Sequence, residues 1–84
     1  MPKVEIYTTQ SCPFCIRAKS LLDQKGVAYT EIPVDHNPAL RRQMEARSGR
    51  HTVPQIFINE KSQGGCDDLY RLDQTGELTT LLME

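Results

Sequence analysis

Apolar and polar positions change their spacing several times along the chain, and each change predicts a different element. Residues 3–6 alternate charged and apolar side chains, which predicts a short strand. From Pro13 onward the apolar positions recur every three or four residues, as in an amphipathic helix, and Gly26 follows as a stop signal. Residues 27–34 are rich in β-branched and aromatic side chains. The first three elements are therefore predicted to be a strand, a helix and a second strand.

The second half of the chain carries a different set of boundary signals. Asn37 can cap a second helix that has Pro38 at its first position, and Gly49 can end it. Residues 53–58 form a compact apolar run, which predicts a third strand opening at Thr52-Val53-Pro54. The dipeptide Asn59-Glu60 is typical of a hairpin turn leading into a very short fourth strand.

Glycines and leucines predict how the chain ends. Gly64-Gly65 should open a third helix, and the leucines between residues 78 and 82 indicate a final short helix. A strand–helix–strand unit makes a parallel, right-handed crossover, whereas a hairpin is antiparallel. We therefore expect an α/β fold with a small mixed four-stranded sheet flanked by helices, in one domain that covers residues 1–84.

Composition narrows the possible functions. The 84 residues include 10 basic and 11 acidic side chains, for a net charge of −1. A near-neutral chain lacks the net positive charge that attracts the phosphates of a nucleic acid, so nucleic-acid binding is not expected. No apolar run is long enough to span a membrane, and the first residues lack the apolar stretch of a signal peptide. We expect a cytoplasmic protein with no membrane association.

The cysteines are the most informative residues of the chain. Cys12 and Cys15 are close together, and Cys66 stands alone. A small secreted scaffold usually carries an even set of cysteines that form several disulfides. In a reducing compartment, a close pair is more typical of chemistry than of a structural bridge.

The surroundings of the pair predict different roles for the two thiols. Pro13 suits the first position of the helix, which makes Cys12 the N-cap residue. There its sulfur can accept hydrogen bonds from the N–H groups of Phe14 and Cys15, and the helix dipole favours the thiolate, which is the nucleophile. Cys15 should face partly inward with the apolar stripe. The sequence thus predicts an exposed attacking thiol and a sheltered resolving thiol.

Two other interpretations of the pair remain open at this point. A zinc half-site has the same spacing, but zinc normally takes four ligands, and only Cys66, His36 and His51 are left to complete the set. A structural disulfide is the other alternative. The position of the pair at a strand-to-helix junction favours redox chemistry over both.

The chain resembles the glutaredoxins, in particular the small dithiol proteins of bacteria. The resemblance covers nearly the whole chain and rests on three motifs that occur in the order of the family. They are Cys12-Pro13-Phe14-Cys15 with its flanking residues, Thr52-Val53-Pro54-Gln55-Ile56-Phe57-Ile58, and Gly64-Gly65-Cys66-Asp67-Asp68-Leu69-Tyr70.

The resemblance implies the thioredoxin fold and a glutathione-dependent disulfide oxidoreductase. Cys12 and Cys15 would be the catalytic thiols, and Pro54 would follow a cis peptide bond facing them. Glutathione would act as cosubstrate, with no bound cofactor. The implied partners are glutathione and proteins that carry disulfides or glutathione adducts, and the protein would be a monomer.

The same resemblance implies a set of glutathione-binding residues. The backbone of Val53 would pair with the extended tripeptide, the N-terminus of the third helix would bind a carboxylate, and Asp67 would accept from an ammonium. An alternative is that Asp67 and Asp68 only cap that helix. The complete implied set is Phe14, Arg41, Thr52, Val53, Pro54, Gly65, Cys66 and Asp67.

The chain departs from the family pattern at two positions. Thr9 stands where the family usually has a lysine, and Phe14 stands where tyrosine is more common.

Two other functions are alternatives to this one. One alternative is an iron–sulfur cluster carrier, which Pro13 disfavours. The other is a thioredoxin-like donor reduced by a flavoprotein, which the glycine motif and Arg41 disfavour. Cys66 is expected to be dispensable for turnover.

Overall fold

The computed structural model describes residues 2–83 and alternates strands with helices in the predicted order. The final short helix is present as well. The elements are β1 Val4–Thr8, α1 Pro13–Gln24, β2 Thr30–Pro33, α2 Pro38–Ser48, β3 Gln55–Ile58, β4 Lys61–Gly64, α3 Cys66–Thr75 and α4 Glu77–Leu82.

The four strands form one mixed sheet in the order β2-β1-β3-β4. Strand β1 pairs with β2 in parallel, as a crossover through α1 requires, and β1–β3 and β3–β4 are antiparallel. The expected α/β architecture and the thioredoxin fold are confirmed. Within residues 2–83, none of the helices is both long and apolar enough to cross a bilayer.

The sheet buries a different cluster of side chains on each of its faces. Ile6 lies opposite Ile56 in the β1–β3 register, and both belong to the larger cluster, which α1, α3 and α4 cover. On the other face, Tyr7, Val34, Met44 and Phe57 form a smaller cluster beneath α2. Because side chains alternate along a strand, neighbouring residues of β1 and β3 serve the two clusters in turn.

The local signals that end the elements are confirmed. The Asn37 side chain accepts from the N–H of Leu40 at 3.1 Å, and Gly49 ends α2 with a left-handed φ of 73°. The hairpin turn has positive φ at both central residues, 51° at Asn59 and 71° at Glu60. This is the geometry whose twist matches an antiparallel pair of strands.

Two strands are shorter than predicted. Strand β2 begins at Thr30 and not at Val27, because its register with β1 places Thr30 opposite Glu5, and β1 extends only one residue further, to Val4. The expectation that Thr52-Val53-Pro54 opens β3 was also wrong. Strand β3 begins at Gln55, and the three preceding residues form a separate segment beside the cysteine pair.

Candidate active site

Cys12 occupies the N-cap of α1, as predicted. Its backbone is extended, with φ −122° and ψ 103°, and its sulfur accepts a hydrogen bond from the N–H of Cys15 at 3.1 Å. A second bond from Phe14 was also expected, but within the described chain the sulfur accepts only from Cys15. An N-cap side chain commonly serves one donor of the first turn, and here that donor is at the third helical position.

The prediction of an exposed attacking thiol needs correction. Cys12 is only 8% exposed, and Cys15 is 1% exposed. The reason is the segment before β3, since the Cys12 sulfur lies 3.8 Å from the Val53 carbonyl oxygen. The order of exposure is as expected, but Cys12 is a buried thiol beside that carbonyl and not an exposed one.

Burial and the neighbouring Cys12 side chain keep Cys15 protonated. Desolvation is the largest cause that raises the pKa of Cys15, to about 12, and a hydrogen bond with Cys12 raises it further. A backbone hydrogen bond with Thr9 lowers the pKa of Cys15, negative charge on Cys12 raises it, and the charge of Lys19, one helical turn away, lowers it. The two thiols are therefore chemically distinct. The Cys12 sulfur accepts a hydrogen bond at the N-terminus of α1, whereas Cys15 is held as a neutral thiol.

A groove of about 210 Å³ runs beside the cysteine pair. One wall is the segment Thr52–Pro54, whose Val53–Pro54 peptide bond is cis, as the resemblance implied. The opposite wall is the start of α3. The groove is lined by Phe14, Arg50, Thr52, Val53, Pro54, Gly65, Cys66, Asp67 and Asp68.

The two aspartates at the start of α3 differ in what they contact. An Asp68 oxygen accepts from the N–H of Gly65 at 3.0 Å and from Arg50 at 2.9 Å, so Asp68 is the residue that caps the helix. These two bonds lower the pKa of Asp68. The side chain of Asp67 is exposed on the groove and makes no hydrogen bond within residues 2–83. A Cβ at Gly64 would collide with the Asp68 carboxylate, so the cap requires glycine there.

Cys66 is buried at the base of the groove and packs against the larger core cluster, with 4% of its surface exposed. Burial raises the pKa of the Cys66 thiol. The charge of Arg17 lowers the pKa of Cys66, but desolvation is the larger effect.

Most of the implied glutathione-binding residues come together around this groove, and Arg41 does not. Its guanidinium donates to the His51 carbonyl oxygen at 3.1 Å, outside the lining of the groove. Arg50 lines the groove instead. Arg50 was not singled out from the sequence, because its ion pair with Asp68 links residues far apart in the chain. Among the described residues, no group of three or more His, Cys, Asp or Glu side chains is arranged to hold a metal ion.

Comparisons with known proteins agree with this geometry. Residues 4–63 match the family model described as Glutaredoxin. The chain is 58% identical over 82 residues to Glutaredoxin 3 of Escherichia coli K12, covering 98% of this chain and 99% of that protein. It is 54% identical over 82 residues to Glutaredoxin of Pseudomonas aeruginosa, covering 98% of each.

Solved structures show the same likeness. The solution structure of glutaredoxin from Brucella melitensis superposes with a TM-score of 0.84 at 52% identity, over 95% of this chain and 87% of that one. The buckwheat glutaredoxin–glutathione complex gives 0.89 at 30% identity, over 98% and 77%. The chain therefore belongs to the glutaredoxin family and is a glutathione-dependent thiol–disulfide oxidoreductase.

Proposed function

We propose that this glutaredoxin reduces glutathione mixed disulfides through Cys12 alone. The Cys12 thiolate attacks the glutathione sulfur of the mixed disulfide, a Cys12–glutathione disulfide forms, and the substrate leaves as a thiolate that takes up a proton. A second glutathione, as thiolate, attacks the glutathione sulfur of that adduct. Oxidised glutathione is released and Cys12 is restored. The observation that carries the proposal is the Cys12 sulfur at a helix N-cap, accepting the 3.1 Å bond from Cys15.

Reduction of a protein disulfide would need both cysteines. Cys12 attacks one sulfur of the disulfide, and Cys15 then attacks Cys12, which releases the dithiol and leaves a Cys12–Cys15 disulfide. Two glutathione molecules reduce this disulfide. The hydrogen bond and charge of Cys12 contribute to the high pKa of Cys15. Both are lost once Cys12 is in a mixed disulfide, so the pKa of Cys15 falls when its thiolate is required.

We further propose that the groove binds glutathione in an extended form. The Val53 N–H makes no hydrogen bond within residues 2–83 and is available for a peptide ligand. Asp67 is exposed and can accept from the ammonium of the γ-glutamyl end, and Arg50 supplies a positive charge to the same groove. Phe14, Thr52, Pro54, Gly65 and Cys66 supply the remaining surface. Arg41 lies outside the lining of the groove and would bind the glycine carboxylate of a ligand that extends beyond it.

The same reasoning extends to the setting of the reaction. We propose that residues 1–84 form one glutaredoxin domain that works as a monomer in the cytoplasm, on glutathionylated and disulfide-containing proteins, without a bound cofactor. The shared core of the sheet and its helices supports one domain. A reductase that depends on glutathione also needs the reduced glutathione pool of that compartment.

Serine variants of the two cysteines test the proposal. Cys12→Ser should lose activity on both a glutathionylated peptide and a protein disulfide. Cys15→Ser should keep reduction of the glutathionylated peptide and lose reduction of the protein disulfide. Each variant is the matched control of the other, since each removes one buried sulfur from the same helical turn. Full activity of Cys12→Ser on either substrate would overturn the assignment.

A further inference from the structure

Gln55 is a buried polar residue that the mechanism above does not use. It is the first residue of β3, directly after the cis proline, and none of its surface is exposed. It lies opposite Tyr7 in the register of β1 and β3. Polar side chains in such positions are normally fully hydrogen-bonded, so the partners of Gln55 indicate what it does.

Both hydrogen bonds of the Gln55 side chain go to one residue of the groove. Its Nε2 donates to the Thr52 carbonyl oxygen at 3.0 Å and to the Thr52 hydroxyl oxygen at 3.3 Å. Thr52 is exposed and lines the groove, and the next residue, Val53, has its carbonyl 3.8 Å from the Cys12 sulfur. The buried amide of Gln55 thus fixes both the main chain and the side chain of Thr52.

The other end of the same amide makes no hydrogen bond. Gln55 Oε1 is buried and accepts from no donor among residues 2–83. An unsatisfied buried acceptor disfavours folding, and an apolar side chain of similar volume would avoid that cost. Gln55 is therefore poorly explained as a source of stability, whereas its two bonds to Thr52 act directly on the wall of the groove.

We propose that Gln55 is a positioning residue for the glutathione groove. Its buried amide holds Thr52 so that the backbone of Val53 faces the ligand beside Cys12. This inference rests on the proposed function. It adds that the binding geometry of the groove depends on a side chain that the ligand does not touch.

Replacement by methionine tests the role of Gln55. Gln55→Met keeps the volume and removes both the donor and the unsatisfied acceptor. We expect the KM for a glutathionylated peptide to rise about fivefold, the effect of losing roughly one hydrogen bond, while kcat stays within about twofold. The urea midpoint should not fall, because the orphaned acceptor is gone. The matched control is Gln43→Met, which removes the 2.7 Å bond from the Tyr7 hydroxyl beneath α2 and should leave KM unchanged.

The outcomes separate this inference from the proposed function. An unchanged KM in Gln55→Met, with wild-type protein active, would contradict the role of Gln55 alone. A wild-type protein inactive on the peptide would contradict the proposed function itself. Gln55→Leu is the second variant if methionine does not fold there. Failure of both variants to fold would contradict the inference, because Gln55 would then be a stabilising residue.

Discussion

The three thiols of the chain differ because each sulfur has different neighbours. Cys12 has a backbone N–H donor at 3.1 Å and the larger exposed fraction, 8% against 1% for Cys15 and 4% for Cys66. The other two thiols are held protonated by desolvation, which raises the pKa of both. Spacing alone could predict the cap at Cys12, because a helix N-cap is a local feature. It could not predict the burial of Cys12, which depends on a segment 41 residues away.

These environments predict an order of alkylation. Since the thiolate is the reactive form, Cys12 should react first with limiting iodoacetamide near neutral pH, and Cys66 and Cys15 more slowly. Because the pKa of Cys15 is raised to about 12, its rate should still be rising at about pH 10. Mass spectrometry of the labelled peptides measures the order. First labelling at Cys66 would show that the division of roles among the thiols is wrong.

At the level of elements, the sequence predicts features that depend on neighbouring residues, but not those that depend on residues far apart in the chain. The caps at Asn37 and Gly49 and the turn at Asn59-Glu60 follow from neighbouring residues. The length of β2 depends on its register with β1, and no local pattern encodes that register. The cap of α3 shows the same limit. The sequence left both aspartates as candidates, and only the fold brings Arg50 to Asp68.

The cap of α3 can be tested through its dependence on pH. Asp68→Ala should lower the free energy of unfolding by about 1 kcal/mol near neutral pH, since it removes the acceptor of the Gly65 N–H. The folded state lowers the pKa of Asp68, so its stabilisation is present above the unfolded pKa and is lost as pH falls through the folded one. Urea unfolding at neutral and acidic pH should therefore show a difference from wild type that shrinks in acid.

Asp67→Ala is the matched control for this measurement. Asp67 is in the same helical turn, and its side chain makes no hydrogen bond within residues 2–83. It contributes only through the helix dipole, so we expect a loss less than about half as large. Equal losses in the two variants would contradict the assignment of the cap to Asp68.

On the scale of the whole molecule, the sheet places three separated segments at one end. The N-terminus of α1, the segment before β3 and the turn before α3 each contribute residues to the groove. Motif order was enough to expect this convergence through the family resemblance. It could not show that Arg50 lines the groove and Arg41 does not, because that depends on how α2 and the following loop pack.

The position of the groove predicts which backbone amide signals shift when glutathione binds. In a titration of ¹⁵N-labelled Cys15→Ser protein with reduced glutathione, the amide shifts should cluster at residues 52–54 and 65–67 and around Cys12. Residues 78–83 lie in and after α4, outside the groove, and should not move. Shifts confined to that helix would reject the proposed site.

The most direct test of the account is the location of the glutathione adduct. Cys15→Ser protein retains Cys12 and Cys66, and both are near the groove. Treated with oxidised glutathione and digested under acid conditions, it should carry the mixed disulfide on the peptide that contains Cys12. Brief incubation with reduced glutathione should then remove it. A mixed disulfide found mainly on Cys66, or one on Cys12 that glutathione cannot remove, would contradict Cys12 as the nucleophile.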